Sequence, residues 1–414
     1  MTSASSTPAT PAPLSRVVML MILCGAVVSL VTFGIRAAFG LFLVPMSAEF
    51  GWGRDVFSDA MAISNLLFGA AQPVAGAIAD RYGARRVLLA GITIYAAGTV
   101  LMVQASSPML LHLTGGVLTG IGIGAGSFAI IMAALGKVVP PERRTWVFGM
   151  MTAANSMGQL LVPPLAQLSI DVIGWQTTLV AMAGALVLIL PLLLPLLAPT
   201  TASAPAPTQG PSTLRTAIKE AWGDRSYRLL TAGFFVCGFH VAFVQVHLPP
   251  YIKDAGLPSW LAAASLALIG GFNIIGSYIA GVMGGRGSKR NMLAWIYGLR
   301  AVVFALFVLA GPSVWSVVLF AAVLGLLWLS TVPPTSGLVA QIYGTRYMST
   351  LFGLVFFSHQ VGAFIGLTVG GRLYEATGSY DITWWLSVAL GLFAALVHIP
   401  IDERPLTKRL AAAE

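Results

Sequence analysis

Two arginines and three histidines of this chain stand in segments where such side chains are costly. Arg36 lies well inside the apolar run around Thr32 to Phe42, and Arg300 lies ten residues beyond Arg290 inside another. A guanidinium at bilayer depth costs about 3 kcal/mol on insertion scales and is normally kept facing a cavity or a partner. Its chemistry is recognition of carboxylates and carbonyls. Arg36 is expected to hold an anionic or carbonyl group of a ligand; the competing role is snorkelling to the nearer interface. For Arg300, bonding carbonyls or neighbouring polar groups stands beside a ligand role. His240 and His247 are seven residues apart and share one helix face, and His359 is followed by Gln360. A neutral imidazole can bond a substrate, and its ordinary pKa suits it to carry a proton. These three are the expected proton-coupling groups, since no carboxylate stands deep in an apolar run. Phe39, Asn65, Asn155, Asn273, His359 and Gln360 complete the expected lining of a ligand site. Each taken singly would also serve as interhelical glue.

Missing motifs narrow the chemistry further. There is no phosphate loop, no His-Glu-x-x-His zinc motif and no nucleophile elbow, so no enzyme activity is expected. Cys24 and Cys237 both fall in apolar runs and form neither a disulfide framework nor a zinc spacing. The His240–His247 pair lacks further ligands for a haem or metal. No cofactor is expected.

The elements that must position these residues are membrane helices. The chain is 57% hydrophobic and 9% charged, against roughly 25% charged in soluble domains, and its mean hydropathy is +0.86. Apolar runs of about 20 residues recur along its length, each able to cross a ~30 Å hydrocarbon core. Twelve are expected, forming an all-α membrane protein. The formal charge of +9 resides mainly in alternate loops and the termini, for example Arg81, Arg85 and Arg86, then Arg143 and Arg144, then Lys289 and Arg290. That bias follows the positive-inside rule and places both termini in the cytoplasm; it is an orientation signal, and nucleic acid is not an expected partner.

Residues 1–15 are expected to be a disordered cytoplasmic tail and 16–198 a six-helix bundle. Residues 199–227 are rich in Pro, Ala, Ser and Thr and are expected to be a linker, with a short interfacial helix near Leu214–Trp222. A second six-helix bundle is expected over 228–403 and a tail over 404–414. The halves repeat. Phe148, Gly149, Gly158 and Gly174 recur as Phe352, Gly353, Gly362 and Gly378, and Pro45 and Gly51 as Pro250 and Gly256, at offsets of 204 and 205.

Between the second and third runs lies a tight basic turn, Gly76 to Arg86, carrying Asp80, Arg81, Gly83, Arg85 and Arg86. This stretch resembles the signature loop of the major facilitator superfamily. A weaker copy, Gly281 to Arg290, has Gly285 where the first has Asp80. The whole chain is similar to bacterial relatives of the monocarboxylate transporters and oxalate/formate antiporters, locally in Phe39–Phe42, Phe50–Arg54, Gly271–Gly276 and Gly370–Gly378. The resemblance implies two pseudo-symmetric six-helix bundles and a substrate site between them near the midplane. It further implies that Gly76, Asp80, Arg81, Gly83 and Arg86 form a cytoplasmic latch. Ser277 stands where the resemblance implies a carboxylate-clamping arginine, which leaves Arg36, with His247 or His359, as the anion ligand. The expected activity is secondary transport of a small organic acid or similar polar metabolite, proton-coupled, by a monomer in a bacterial inner membrane. The alternative is proton-driven export of hydrophobic, drug-like compounds.

Overall fold

The computed structural model describes residues 15–197, 213–344 and 346–411. Residues 1–14 of the expected tail and 199–212 of the expected linker fall outside these. Among the described residues all regular structure is helical, and eleven stretches are long and apolar enough to cross a membrane. They are α1 (Arg16–Phe50), α2 (Arg54–Tyr82), α3 (Ala84–Leu101) and α4 (Pro108–Gly136), a merged α5 and α6, then α7 (Arg225–Asp254), α8 (Ser259–Arg286), α9 (Lys289–Ala310), α10 (Val314–Tyr343), α11 (Met348–Thr377) and α12 (Asp381–His398).

The merged stretch, Pro141–Leu188, is 48 residues long. At 1.5 Å per residue that is about 72 Å, more than twice the thickness of the hydrocarbon layer. Gly174, at φ 81° and ψ 162°, bends it into α5 (141–173) and α6 (175–188). The crossings therefore number twelve, and the two ends of the bundle lie on one face, here the terminal face; the other is the far face. Leu188, Trp315 and Trp295 are among many large apolar side chains left exposed on the exterior, as lipid-facing positions require. The chain is a multi-pass membrane protein.

The repeat in the sequence becomes a repeat in packing. Gly158 of α5 lies against the Leu30 carbonyl and Gly34 of α1, where any Cβ would overlap backbone; Gly362 of α11 lies against the Phe235 carbonyl and Phe239 of α7 in the same way. Gly120 on Ser64 joins α4 to α2, and Gly325 on Ile269 joins α10 to α8. Small residues allow such close approach. Gly40, in the 3-10 turn Phe39–Phe42 of α1, abuts the Gln245 carbonyl of α7. Residues 40 and 245 are equivalent positions of the two halves. Equivalents that touch must straddle the pseudo-two-fold axis, so this contact marks it.

α10 is interrupted: regular helix stops at Leu327 and resumes at Val332, with Pro333 and Pro334 in the first turn of the new segment. The carbonyls freed by the break are met by Arg300, which is fully buried. Its Nη2 donates to the Leu327 oxygen at 2.6 Å and also to the Trp328 oxygen. A cation at the negative end of a helix segment is favoured twice over, by charge and by hydrogen bonding. On the other side of the break, Asn273 Oδ1 accepts from the Leu329 amide at 3.0 Å. The short helices Leu214–Gly223 and Leu406–Ala411 flank the second bundle on the terminal face.

Candidate functional site

A cavity of about 1020 Å³ opens on the terminal face. Its walls are α2 from Gly69 to Tyr82, the start of α3, α4 from Ala129 to Ala134 with Val138 just beyond it, and α11 from Thr350 to Phe357. It thus lies between the halves. Among the described residues the charged side chains lining it are Arg81, Arg85 and Arg86, with no carboxylate. Gly76, Arg81, Gly83 and Arg86, expected as a latch, stand at its mouth. The side chain of Asp80 lies outside the described residues. Arg81 is placed over the ring of its neighbour Tyr82, 5.2 Å from the centroid.

At the closed end, Gly69 packs on Gln360, and Phe356 of α11 meets Phe68 of α2 edge-on at 5.9 Å. Behind that aromatic pair lies a polar layer. Arg36 Nη2 donates to Asn65 Oδ1 at 2.6 Å, and its guanidinium sits 4.9 Å from the Phe68 centroid. Asn65 is oriented for this because its Nδ2 donates to the Met61 carbonyl at 2.8 Å. Among the described residues no carboxylate pairs with Arg36. His359 stacks on Phe356 at 5.6 Å, and its Nδ1 has no hydrogen-bond partner. Gln360 Oε1, Asn155 Oδ1 and both polar atoms of the Gln159 side chain are also buried without partners. On α5, Gly158 faces α1 and Ser156 faces α8. Helical geometry turns Asn155 and Gln159 to the interior between them. Unpaired buried amides cost about 1–3 kcal/mol each, a cost met when a polar ligand or water occupies the space.

Other expected site residues are committed elsewhere. Phe39 is buried against Tyr95, with centroids 6.2 Å apart, inside the first bundle. Asn273 Nδ2 donates to Ser156 at 3.1 Å, and its oxygen accepts from Leu329 and Ser277, so the side chain is committed to joining α8 to α5 and α10. His240 bonds the Ser387 carbonyl of α12 at 2.9 Å and packs on Phe304. His247 is fully buried under the far face. Of the residues expected to bind substrate, none lines the open cavity; Arg36 and Asn65 pair behind its end, and His359 and Gln360 stand beside the Phe68–Phe356 contact that closes it.

The far face is closed by a residue that the sequence marks only as the end of the Phe50–Arg54 resemblance. Arg54, at the start of α2, pairs both guanidinium nitrogens with Asp254 of α7 at 2.6 Å. It lies 4.0 Å from the Tyr374 centroid, donates to the Tyr380 hydroxyl at 3.2 Å, and offers its backbone N–H to Glu375 at 2.7 Å. Arg372 and Asp59 add a second pair at 3.1 Å. These partners of the Arg54 guanidinium and N–H all belong to the second half. A signal existed: opposite charges beside the equivalent turns at Gly51 and Gly256. The structure is therefore open at the terminal face and latched at the far face.

Comparison with known proteins agrees with this architecture. The chain is 24% identical over 390 residues to the uncharacterized MFS-type transporter YcxA of Bacillus subtilis, covering 90% of this chain and 92% of that one. It is 30% identical over 380 residues to monocarboxylate transporter 3 of Mus musculus, covering 88% and 76%. Among solved structures it resembles a D-xylose-proton symporter (TM-score 0.73, 15% identity, 95% and 98% covered). It also resembles a bacterial homologue of the lysosomal transporter Spinster (TM-score 0.74, 15% identity, 95% and 99% covered). The Major Facilitator Superfamily model matches residues 23–367, and with twelve helices in two equivalent bundles around a one-sided cavity, the chain belongs to that superfamily of membrane transporters.

Proposed function

We propose that this transporter moves a small organic acid or similar polar metabolite by alternating access, coupled to protons carried on its buried histidines. The observation that carries this reading is the sign of the charge along the route. Arginines flank the mouth, and among the described residues no acid lines the cavity. Behind its end stands Arg36 with a neutral partner, and α5 and α11 carry buried amides and an imidazole nitrogen without partners. Such a route attracts an anion and offers it a guanidinium and hydrogen bonds at the end. The relatives named monocarboxylate transporters point the same way. The distribution of Lys and Arg favours a cytoplasmic terminal face in a bacterial inner membrane, with the chain working as a monomer of two six-helix bundles.

A second reading is export of hydrophobic compounds. It rests on Met21, Leu354, Phe356 and Phe357, which line the same cavity. Proteoliposome uptake separates the two. A set of radiolabelled monocarboxylates should accumulate with an imposed pH gradient, and Arg36→Ala should reduce uptake about tenfold or more, the loss of one charge-assisted contact. Full uptake in Arg36→Ala would remove Arg36 from the site. Failure of every acid, with transport of lipophilic dyes, would favour the second reading.

A further inference from the structure

We propose that His247 is the proton-binding site of the far latch, sensing acidity on the far side and passing it through Tyr380 to Arg54. The proposal deepens the proton-coupled reading above and rests on it for the direction of transport alone.

Three hydrogen bonds in series carry the inference. His247 Nε2 lies 3.2 Å from the Leu367 carbonyl, and Nδ1 lies 3.2 Å from the Tyr380 hydroxyl. The hydroxyl in turn lies 3.2 Å from Arg54 Nη1. A carbonyl can only accept, so Nε2 carries the ring proton. Nδ1 of the neutral ring must then accept, and the Tyr380 hydroxyl donates to it. Arg54 can only donate, so the phenol oxygen accepts from the guanidinium. Each donor and acceptor is used once, and the chain has one polarity: Arg54 to Tyr380 to His247 to Leu367. The closed latch is thereby built for the neutral ring.

Adding a proton at Nδ1 reverses one link. The imidazolium must donate from both nitrogens, so the Tyr380 oxygen would receive two cationic donors and its own hydrogen would need a new acceptor. Guanidinium and imidazolium would then face each other across a single phenol, in a buried setting where such repulsion is poorly screened. Among the described residues no acid contacts the ring. On α7 itself Phe243 packs on it and Tyr251 lies one turn on; α11 presents the Leu367 carbonyl and Gly370, with Tyr374 beyond Tyr380. From the α12 side come Tyr380 and Trp384, the latter against Phe243. From α2 comes Arg54. Of the nearby carboxylates, Asp254 and Glu375 bond Arg54, and Asp381 is exposed near Tyr251. Opening the latch withdraws Arg54 and admits water to the ring. Proton binding and far-side opening therefore favour each other, and linkage makes the coupling reciprocal. The proton comes from far-side water and rests on Nδ1.

The test reads the latch without any substrate. Spin labels on Ala48→Cys and Ala376→Cys, both exposed at far-face helix ends of opposite halves, report their separation in lipid nanodiscs between pH 8 and pH 5.5; the native cysteines are buried. The long-distance population should rise about threefold or more as pH falls, the range over which histidine titrates. His247→Gln, neutral at every pH, should remain short and flat. Tyr380→Phe, which cuts the relay and leaves the imidazole in place, should blunt the response. A pH response that persists in His247→Gln, or a wild-type distance that ignores pH, would overturn the proposal. A failed uptake screen would count against the proposed cargo alone, since no cargo is present.

Discussion

Arg54→Ala should release the far face. The substitution removes a two-pronged ion pair whose side chains are 13% and 35% exposed, a hydrogen bond to Tyr380 and a ring contact with Tyr374. It spares the backbone N–H bond to Glu375. A fully exposed pair would contribute under about 1 kcal/mol, and a charged hydrogen bond in a dry site about 1.5–3. With Asp254 a third exposed, an intermediate value applies, and the ring adds about 0.5–1 kcal/mol. The sum, about 2 kcal/mol, shifts the closed-to-open ratio of the far face about 30-fold. Ser58 provides the reporter. It is fully buried one turn below the latch, against Gly371 of α11. In a Ser58→Cys background, labelling by a membrane-impermeant maleimide from the far side should accelerate about 30-fold when Arg54→Ala is added. Arg54→Lys, which keeps the charge and loses the fork, should fall between. Unchanged labelling in Arg54→Ala would show that α2 and α11 hold the face shut by packing alone, and the ionic account would fail.

Two further substitutions test roles assigned outside the route. Arg300→Lys offers fewer donors to the carbonyls of Leu327 and Trp328 and should lower the melting temperature of the purified protein, leaving the KM of residual transport unchanged; a raised KM at constant stability would place Arg300 on the substrate. Asp224→Asn breaks a pair with Arg409 at 2.6 Å that fastens the last helix to the start of α7, at a cost of about 1.5–3 kcal/mol. Burial pushes the Asp224 carboxyl up, but Arg409, the Tyr343 hydroxyl and the Ser226 amide outweigh it and hold the carboxyl below its ordinary value. The stability it adds is thus present at neutral pH and lost as pH falls through that lowered value. Wild type and Asp224→Asn should melt apart at pH 7 and converge in strong acid; a gap that persists in acid would refute the assignment.

The helices and their two-fold plan were legible because both depend on patterns along the chain. Hydropathy sets the crossings, and equal offsets between glycines set the equivalent helix contacts. Even there the pattern was incomplete. Gly149 and Gly353 repeat at the same offset as Gly158 and Gly362, yet a Cβ at either meets nothing within 4 Å. Composition does not tell a packing glycine from an idle one. The site was half legible. Arg36 and Asn65 do pair, because buried polar groups in an apolar run must find partners, and Gln360 packs on Gly69 of the neighbouring helix. Arg300 and Asn273 look the same in sequence and serve the break in α10, whose existence depends on tertiary partners. The far latch was hidden for a different reason: it joins residues about 200 and more apart whose charges, taken singly, look like ordinary surface residues.

The contact between Gly40 and the Gln245 carbonyl has a practical corollary. Main chain rests on main chain there, with no lever arm of side-chain atoms, so the spot behaves as a fulcrum. Probe pairs planted above it and below it should swing in opposite senses as the carrier cycles, and a pair planted beside it should barely register the motion.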